Sequence, residues 1–301
     1  MPWRFSADVR PYTAHVWDLL VARPVANSVA LTTIDHVRSG RRWSDQDSVF
    51  GWFVDERSNA VGVSGEVAVG VAGEVSGAVT GAVSMTPPYD LLLAAVPEPT
   101  MQALVDALRA AEVPVPGAVG VATTVDRFAA LWTASTGLRS EPGMRQRLYR
   151  LGTLCAPHPP PPGRAELAGP DDVVLVANWY AAFQREVGTA PVDVEPIASD
   201  AVEHGAVWLW RDRAGAPVAL AAHTRVVAGV SRLGPVYVPP VGRRRGHGAA
   251  VTAACTEGAL RAGATEVVLF TDLANPTSNE VYQRIGYLPG EDHRTVRFAR
   301  A

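Results

Sequence analysis

The chain has 301 residues, of which 48% are hydrophobic and 19% are charged, and this length suits two domains of about 150 residues each. Its formal net charge of -3 at pH 7 does not favour a general nucleic-acid binder. The two cysteines, Cys155 and Cys255, suggest no disulfide framework and lack metal-ligand spacing, so no metal site is expected.

The N-terminal residues bear on where the protein acts. Charged side chains stand where a signal peptide has its apolar core, and no uncharged run reaches the roughly 18 apolar residues of a membrane span. We therefore expect a cytoplasmic protein with no membrane partner and no nucleic-acid partner.

The first half of the chain alternates between helical and strand patterns. Apolar residues at helical spacing predict two helices between Tyr12 and Arg38, separated at Pro24. Further along, the pattern predicts strands at Ser48–Val54, Val79–Met85 and Asp90–Val96, and helices at Thr100–Ala111 and Thr123–Thr136 with Gly137 as the stop.

Alternating glycine and valine mark residues 61–83. The segment repeats SGEV at Ser64–Val67 as AGEV at Ala72–Val75, with a period of eight residues. This composition is compatible with a glycine-weakened hairpin or with a duplicated loop insertion, and no chemistry is assigned to it.

A proline-rich segment divides the chain. Met144–Leu151 has the pattern of a strand, and the run Pro159–Pro162 follows it. Consecutive prolines adopt a stiff polyproline II conformation. The sequence therefore predicts two domains, residues 1–155 and 164–301, joined by a linker at 156–163.

Helix and hairpin patterns follow the proline-rich segment. A helix opens at Asp171 and ends at Gly188, and a shorter one is predicted near Ile197–His204. The segments Ala206–Trp210 and Pro217–Val227 then predict a hairpin.

The next strand must end at a pair of prolines. Val236 and Val238 alternate with Tyr237 as in a strand. Pro239 and Pro240 cannot donate to a sheet ladder, so the strand stops there.

The loop after this strand is rich in arginine and glycine. Arg243–Gly248 has the pattern R-x-x-G-x-G, and the spacing of Val251, Cys255 and Ala259 predicts a helix directly behind it. Glycines let the backbone turn tightly and approach a ligand, and a helix N-terminus presents free N–H groups to an anion. The loop therefore predicts a phosphate cradle, although neither the dinucleotide fingerprint nor the P-loop spacing fits.

A second motif lies beyond this helix. Glu266–Asp272 predicts a compact strand, and Asn275 is a natural N-cap for a helix that ends at Gly286. Ser278 and Tyr282 lie four residues apart and therefore on one face of that helix.

Together these two stretches resemble the GCN5-related N-acetyltransferase (GNAT) superfamily. R-R-R-G-H-G at Arg243–Gly248 matches its acetyl-CoA loop, R/Q-x-x-G-x-G/A, and N-P-T-S-N-x-x-Y-x-x-x-G-Y at Asn275–Tyr287 matches its second motif. The resemblance implies an α/β fold in which a central mixed β-sheet is flanked by helices. It also implies an N-acetyltransferase that uses acetyl-CoA as the acyl donor.

The resemblance further implies roles for individual residues. The backbone of Val236, Tyr237 and Val238 would hold the thioester and the pantetheine arm. The pyrophosphate would be bound by Arg243, Arg244, Arg245, Gly246, His247, Gly248 and Ala249. Asn275 and Ser278 would touch the pantetheine arm, and Tyr282 would protonate the departing thiolate.

The first half of the chain has a similar order of helices and strands. Where the loop of arginine and glycine should appear, however, the sequence has Pro97, Glu98, Pro99 and Thr100. No glycine frees the backbone there, and Glu98 would repel phosphate. We therefore interpret residues up to about 150 as a degenerate GNAT-like copy that has lost cofactor binding.

The sequence does not identify a single acceptor site or a single catalytic base. In the resembled superfamily the first helices form the acceptor pocket, so the candidate substrate wall consists of Trp179, Tyr180, Phe183 and Glu186, with plain core packing as the alternative. Candidates for the base are an ordered water and the side chains of Glu186, Glu203, His223 and Asp272. The acceptor would be a small-molecule amine or a peptide amine.

Two other mechanisms are considered. A covalent route through Cys255 is disfavoured because this residue shares the apolar face of its helix with Val251 and Ala259. A chain that binds acetyl-CoA as a sensor or scaffold, without turning it over, is the competing function. The complete loop and Tyr282 argue against it.

Overall fold

The computed structural model describes residues 3–55, 77–189 and 191–300. Both copies of the SGEV and AGEV repeat lie outside the described residues, so the interpretation of that segment stays a prediction. None of the helices in these ranges is long and apolar enough to cross a membrane.

The helices and strands follow one another in a mixed order. In chain order they are β1 (Trp3–Ser6), α1 (Val9–Val21), α2 (Ser28–Arg38), β2 (Val49–Asp55), β3 (Ala78–Met85), β4 (Leu91–Ala95), α3 (Met101–Ala110), β5 (Gly117–Val121), α4 (Ala122–Thr136), β6 (Arg139–Leu151), β7 (Arg164–Leu167), α5 (Val173–Val187), α6 (Glu195–Glu203), β8 (Val207–Arg211), β9 (Pro217–His223), β10 (Val230–Tyr237), α7 (His247–Arg261), β11 (Glu266–Asp272), α8 (Pro276–Arg284) and β12 (Tyr287–Ala299).

The chain forms two compact units. The first consists of Met1–Met144 together with Arg294–Ala301, and the second of Arg145–His293. This division differs from the predicted one, because the proline-rich residues 156–163 lie inside the second unit.

Two contacts explain the position of the proline-rich segment. The indole Nε1 of Trp210 on β8 donates a hydrogen bond of 3.2 Å to the carbonyl oxygen of Pro162. Gly163 has a φ of +118° and lies so close to the carbonyl of Arg211 that a Cβ would collide with it. The prolines are therefore docked on β8, a long-range contact that a polyproline pattern does not reveal.

The sheet of the first unit combines antiparallel and parallel pairs. Strands β1 to β4 pair in sequence as antiparallel neighbours, and β4 pairs with β5 in parallel. Helices α3 and α4 cover this sheet with a core that includes Leu91, Leu104, Leu108 and Phe128. The alternation of buried residues on the strands and their i+4 spacing on α3 account for this arrangement.

The sheet of the second unit has the same mixed character. Its strands include β12, β6, β11, β10, β9, β8 and β7 as neighbours in that order, and among the pairs described from β6 to β7 the one of β10 with β11 is parallel and the others are antiparallel. On one face α7 packs Val251, Cys255 and Ala259 against the sheet. On the other face α5 and α6 bury a second cluster that includes Val176 and Tyr180. Two buried faces explain why these strands have nearly continuous apolar sequences.

The two units repeat one order of elements. A strand, a short 3₁₀ turn, a helix, a parallel strand, a second helix and a long strand occur as β4 to β6 and again as β10 to β12. The α/β fold with a mixed sheet flanked by helices is therefore confirmed.

In the first unit, two side chains donate hydrogen bonds to carbonyl groups of the loop before α3. The Thr100 hydroxyl donates to the carbonyl of Pro97 at 2.7 Å, and the Trp3 indole of β1 donates to the carbonyl of Thr100 at 3.2 Å. The loss of cofactor binding in the first copy stays a prediction.

The helix ends that the sequence predicts are confirmed. Gly137 and Gly188 follow α4 and α5 in the left-handed conformation, with φ values of +73° and +68°. Asn275 caps α8, because its side chain accepts a hydrogen bond of 3.0 Å from the backbone N–H of Ser278. Gly286, after α8, has a φ of +100°.

Gly286 is also a point of close approach. Its carbonyl accepts a hydrogen bond of 2.9 Å from the N–H of Gly152, and a Cβ on Gly286 would collide with the carbonyl oxygen of Thr153. The turn after α8 is thereby attached to the segment that follows β6.

We predict that Gly286→Ala lowers the free energy of unfolding far more than Gly188→Ala. Gly188 also has a positive φ but has open space around it, so alanine there costs about 1–2 kcal/mol of backbone strain. At Gly286 the collision adds overpacking of similar size, for a total of roughly 3 kcal/mol or more. Chemical denaturation of both variants measures the difference, and equal losses would contradict the close approach.

Candidate active site

The candidate site begins where two parallel strands separate. The parallel pairs of β10 with β11 run from Val230 with Glu266 to Leu233 with Leu269. Beyond them β10 continues along β9 as far as Tyr237, after a bulge between Leu233 and Val236. The backbone of β10 after the bulge therefore presents peptide groups toward an opening between β10 and β11.

The loop after β10 turns through two left-handed residues. Arg244 has a φ of +62° and Gly246 a φ of +82°. Gly246 is the N-cap of α7, so the first N–H groups of this helix have no partner within it. A Cβ on Gly248 would stand 3.4 Å from a methyl group of Val238, which shows how closely the helix approaches the strand. This geometry can hold an anion.

The three arginines of the loop differ in their contacts. Arg243 donates from Nε to the carbonyl of Val238 at 2.9 Å and forms an ion pair with Glu186 of α5 at 2.6 Å. Arg244 and Arg245 are exposed, and within the described chain neither has an ion-pair partner. Two of the three arginines predicted to bind the phosphate are therefore available, and the charge of Arg243 is neutralised by Glu186.

The second motif is organised by hydrogen bonds around the start of α8. The Asn279 amide donates to the carbonyls of Asp272 at 2.8 Å and of Asn275 at 2.7 Å. The Asp272 carboxylate accepts from the N–H of Ala274 at 2.9 Å, so it stabilises the turn. Asn275 is exposed and Ser278 is half-buried at this end of the helix.

The rings of Tyr149, Tyr282 and Tyr287 pack together at α8, and their hydroxyls differ in their hydrogen bonds. The ring of Tyr282 lies 6.4 Å from that of Tyr149 and 6.3 Å from that of Tyr287. The Tyr149 hydroxyl donates to Asn279 at 3.0 Å, and the Tyr287 hydroxyl is 2.7 Å from that of Thr256. Among the residues that the structure describes, the Tyr282 hydroxyl has no hydrogen-bond partner. It is thus the member of the trio that is available to a ligand.

Burial raises the pKa of Tyr282 to about 12. The apolar surroundings disfavour the phenolate, so the hydroxyl is a weaker acid than that of an ordinary tyrosine. At neutral pH it is protonated, as an ordinary tyrosine is, and a protonated phenol can donate a proton to a thiolate.

The predicted substrate wall divides into two groups. Tyr180 is buried in the core between α5 and the sheet, as the packing alternative expected. Trp179 and Phe183 are half-buried, and Glu186 is exposed. The Trp179 ring lies 6.0 Å from the ring of Tyr237, which joins α5 to the end of β10.

The candidate bases have different surroundings. His223 is buried, its Nδ1 lies 3.0 Å from the carbonyl oxygen of Thr224, and burial lowers the pKa of its imidazole. Glu203 is exposed near the end of α6. Burial raises the pKa of the Cys255 thiol, which supports the argument against a covalent route.

Sequence reasoning missed two features of the site. Tyr149 on β6, which packs beside Tyr282, belongs to no motif, whereas Tyr287 on β12 ends the second motif but was given no role. His247 was assigned to the anion loop, yet its side chain is buried and its Nδ1 has no hydrogen-bond partner within the described residues. No group of three or more His, Cys, Asp or Glu side chains in the described ranges could hold a metal ion.

Comparisons with known proteins agree with this geometry. The family model described as FR47-like protein matches residues 213–296, which contain the loop, β11 and α8. No curated protein matches the chain.

Three solved structures are similar to the chain. A GCN5-related N-acetyltransferase from Sphaerobacter thermophilus has 16% identity and a TM-score of 0.60, over 98% of this chain and 95% of that one. A tandem GNAT protein from the clavulanic acid biosynthesis pathway has 12% identity and a TM-score of 0.51, over 99% and 98%. A GCN5-related N-acetyltransferase from Kribbella flavida has 21% identity and a TM-score of 0.53, over 73% and 87%. The chain therefore has the GNAT fold in a tandem arrangement, as its motifs predicted.

We predict that Tyr282 titrates about two pH units above an ordinary tyrosine, because burial raises its pKa to about 12. The ultraviolet absorbance of tyrosinate is followed against pH in the wild type and in Tyr282→Phe. The difference between the two curves should have its midpoint near pH 12. A midpoint near pH 10 would show that the hydroxyl is solvated.

Proposed function

We propose that this protein is an acetyl-CoA-dependent N-acetyltransferase that transfers the acetyl group to a primary amine by direct attack in a ternary complex. The observation that carries the proposal is the opening between β10 and β11, which has the arginine-glycine loop and the N-terminus of α7 at its end. The GNAT fold and the FR47-like match support it.

The opening suits an extended thioester. The pantetheine arm contains two amides, and the backbone groups of Val236 and Tyr237 that β9 does not pair can bind them as a strand would, together with Val238 once Arg243 releases its carbonyl. The pyrophosphate would then meet the first N–H groups of α7 and the side chains of Arg244 and Arg245. Asn275 and Ser278 would border the arm from the other side of the opening.

The chemistry has three parts. The neutral amine nitrogen attacks the thioester carbonyl carbon, and the backbone N–H of Val238 stabilises the oxyanion. The tetrahedral intermediate collapses as the C–S bond breaks and the C–N bond remains. Tyr282 donates its proton to the sulfur and regains one from solvent, and the proton lost by the amine passes to solvent through a water or a carboxylate. The products are an acetamide and free CoA thiol.

Turnover separates this function from a binding function. An enzyme releases CoA thiol from acetyl-CoA when amines of different classes are offered, whereas a sensor or scaffold binds acetyl-CoA and releases none. Thiol release with at least one amine supports the proposal. Tight binding without release from a broad set of small amines and peptides would contradict it.

We predict that Gly246→Val abolishes acetyl-CoA binding while the fold survives. Valine is strained at a φ of +82°, and its branches would crowd the phosphate. Calorimetry should show one acetyl-CoA per chain for the wild type and none for the variant, and thermal unfolding serves as the control for folding. Unchanged affinity in a folded variant would refute the anion site, and two cofactors per wild-type chain would refute the degenerate first copy.

We predict that Tyr282→Phe affects the chemical step rather than binding. The ring and its packing against Tyr149 and Tyr287 remain, so acetyl-CoA affinity should be unchanged. A positioned acid contributes about a hundredfold to ten-thousandfold in rate, and we expect the lower end because a thiolate is already a good leaving group. Single-turnover kinetics with a productive amine measures the loss, and a wild-type rate would make Tyr282 structural.

A further inference from the structure

The carboxylate of Glu186 lies on the helix that the GNAT resemblance assigns to the acceptor pocket. It lies on α5, its side chain is 44% exposed, and the hydroxyl of Tyr237 approaches it at 3.5 Å. The ring of Trp179, which also lies on α5, is 6.0 Å from the ring of Tyr237 at the end of β10. A carboxylate beside a tyrosine whose ring packs against Trp179 is an environment that attracts cations.

A cation already occupies this place. The guanidinium of Arg243 contacts both carboxylate oxygens of Glu186, at 2.6 and 2.7 Å. Arg243 belongs to the loop that would bind the cofactor pyrophosphate, and its Nε holds the carbonyl of Val238 at 2.9 Å. The chain thus shows with its own side chain that a positive group can be held next to the end of β10.

When acetyl-CoA binds, Arg243 can pair either with Glu186 or with the pyrophosphate. The pair with Glu186 is exposed on both sides, with 45% of Arg243 and 44% of Glu186 accessible, and such pairs contribute little in water. The pyrophosphate carries more charge and can be held by the helix N-terminus and the neighbouring arginines as well. Movement of Arg243 to the pyrophosphate would leave Glu186 beside the aromatic rings without a cation.

We propose that the acceptor is an amine with a second cationic group, of the diamine or polyamine class, and that this group replaces Arg243 on Glu186. This inference rests on the proposed acetyl transfer. One nitrogen of such a substrate loses its proton and attacks the thioester. The other stays protonated, as alkyl ammonium groups are near neutral pH, and pairs with the carboxylate. Glu186 is then a specificity-determining residue rather than the base.

The test compares amines that differ only in the second charge. CoA thiol release is measured with 1,5-diaminopentane and with 1-aminopentane, for the wild type, Glu186→Gln and Glu257→Gln. The control residue Glu257 is also in an exposed pair with an arginine, Arg261, but it lies in the last turns of α7. Removal of its charge should leave the preference intact.

We expect kcat/KM of the wild type to favour the diamine by about five- to tenfold, as an ion pair with a cation–π contribution allows. Glu186→Gln should abolish this preference by raising KM for the diamine more than KM for 1-aminopentane, so that the ratio of the two kcat/KM values falls to about one whatever the change in absolute rate. Absence of a preference in the wild type, or its persistence in Glu186→Gln, overturns the inference and leaves acetyl transfer standing. Absence of thiol release with either amine or with any other amine overturns the transfer itself.

Discussion

The separation of β10 from β11 is the constraint on which the candidate site depends. Their parallel pairing ends at Leu233 with Leu269, and β10 continues along β9 only. Gly234, with a φ of +149°, lies in the bulge that permits this change of direction. Peptide groups that lose a strand partner must find water or a ligand, because leaving them unpaired is costly. This opening lies between the glycine loop, the first turn of α7 and Tyr282 of α8. A single ligand bound in the opening can therefore contact all three.

The features that the sequence predicted correctly are local ones. The caps of α4, α5 and α8 depend on one residue and the turn next to it, so Gly137, Gly188 and Asn275 could be identified from the sequence alone. The features that it missed are partnerships over long distances. Strands β1 and β5 are short and become strands by pairing, and the ion pair of Arg243 with Glu186 joins residues 57 positions apart. A single sequence contains no local signal for such contacts.

The division of the chain is another example of this limit. Consecutive prolines suggested a spacer because their backbone is stiff and extended. The same stiffness suits a segment that lies along β8, since the prolines have little conformational entropy to lose on docking. Contacts with Trp210 and Arg211 of β8 make this segment docked rather than free. These two residues lie about fifty residues further along the chain. A proline run therefore indicates an extended backbone but does not indicate whether it is free.

The two units share one order of elements but differ at the turn between the first parallel strand and its helix. Both have a parallel strand pair with a 3₁₀ turn and a helix between the strands. In the first unit Thr100 and Trp3 donate to two carbonyl oxygens of the turn, and Glu98 adds negative charge. In the second, Gly246 and the arginines leave N–H groups and positive charge available. The burial that stabilises the second unit also raises the pKa of Tyr282, since low polarity around the ring disfavours the phenolate. Packing around α8 and the acidity of Tyr282 thus have one physical origin.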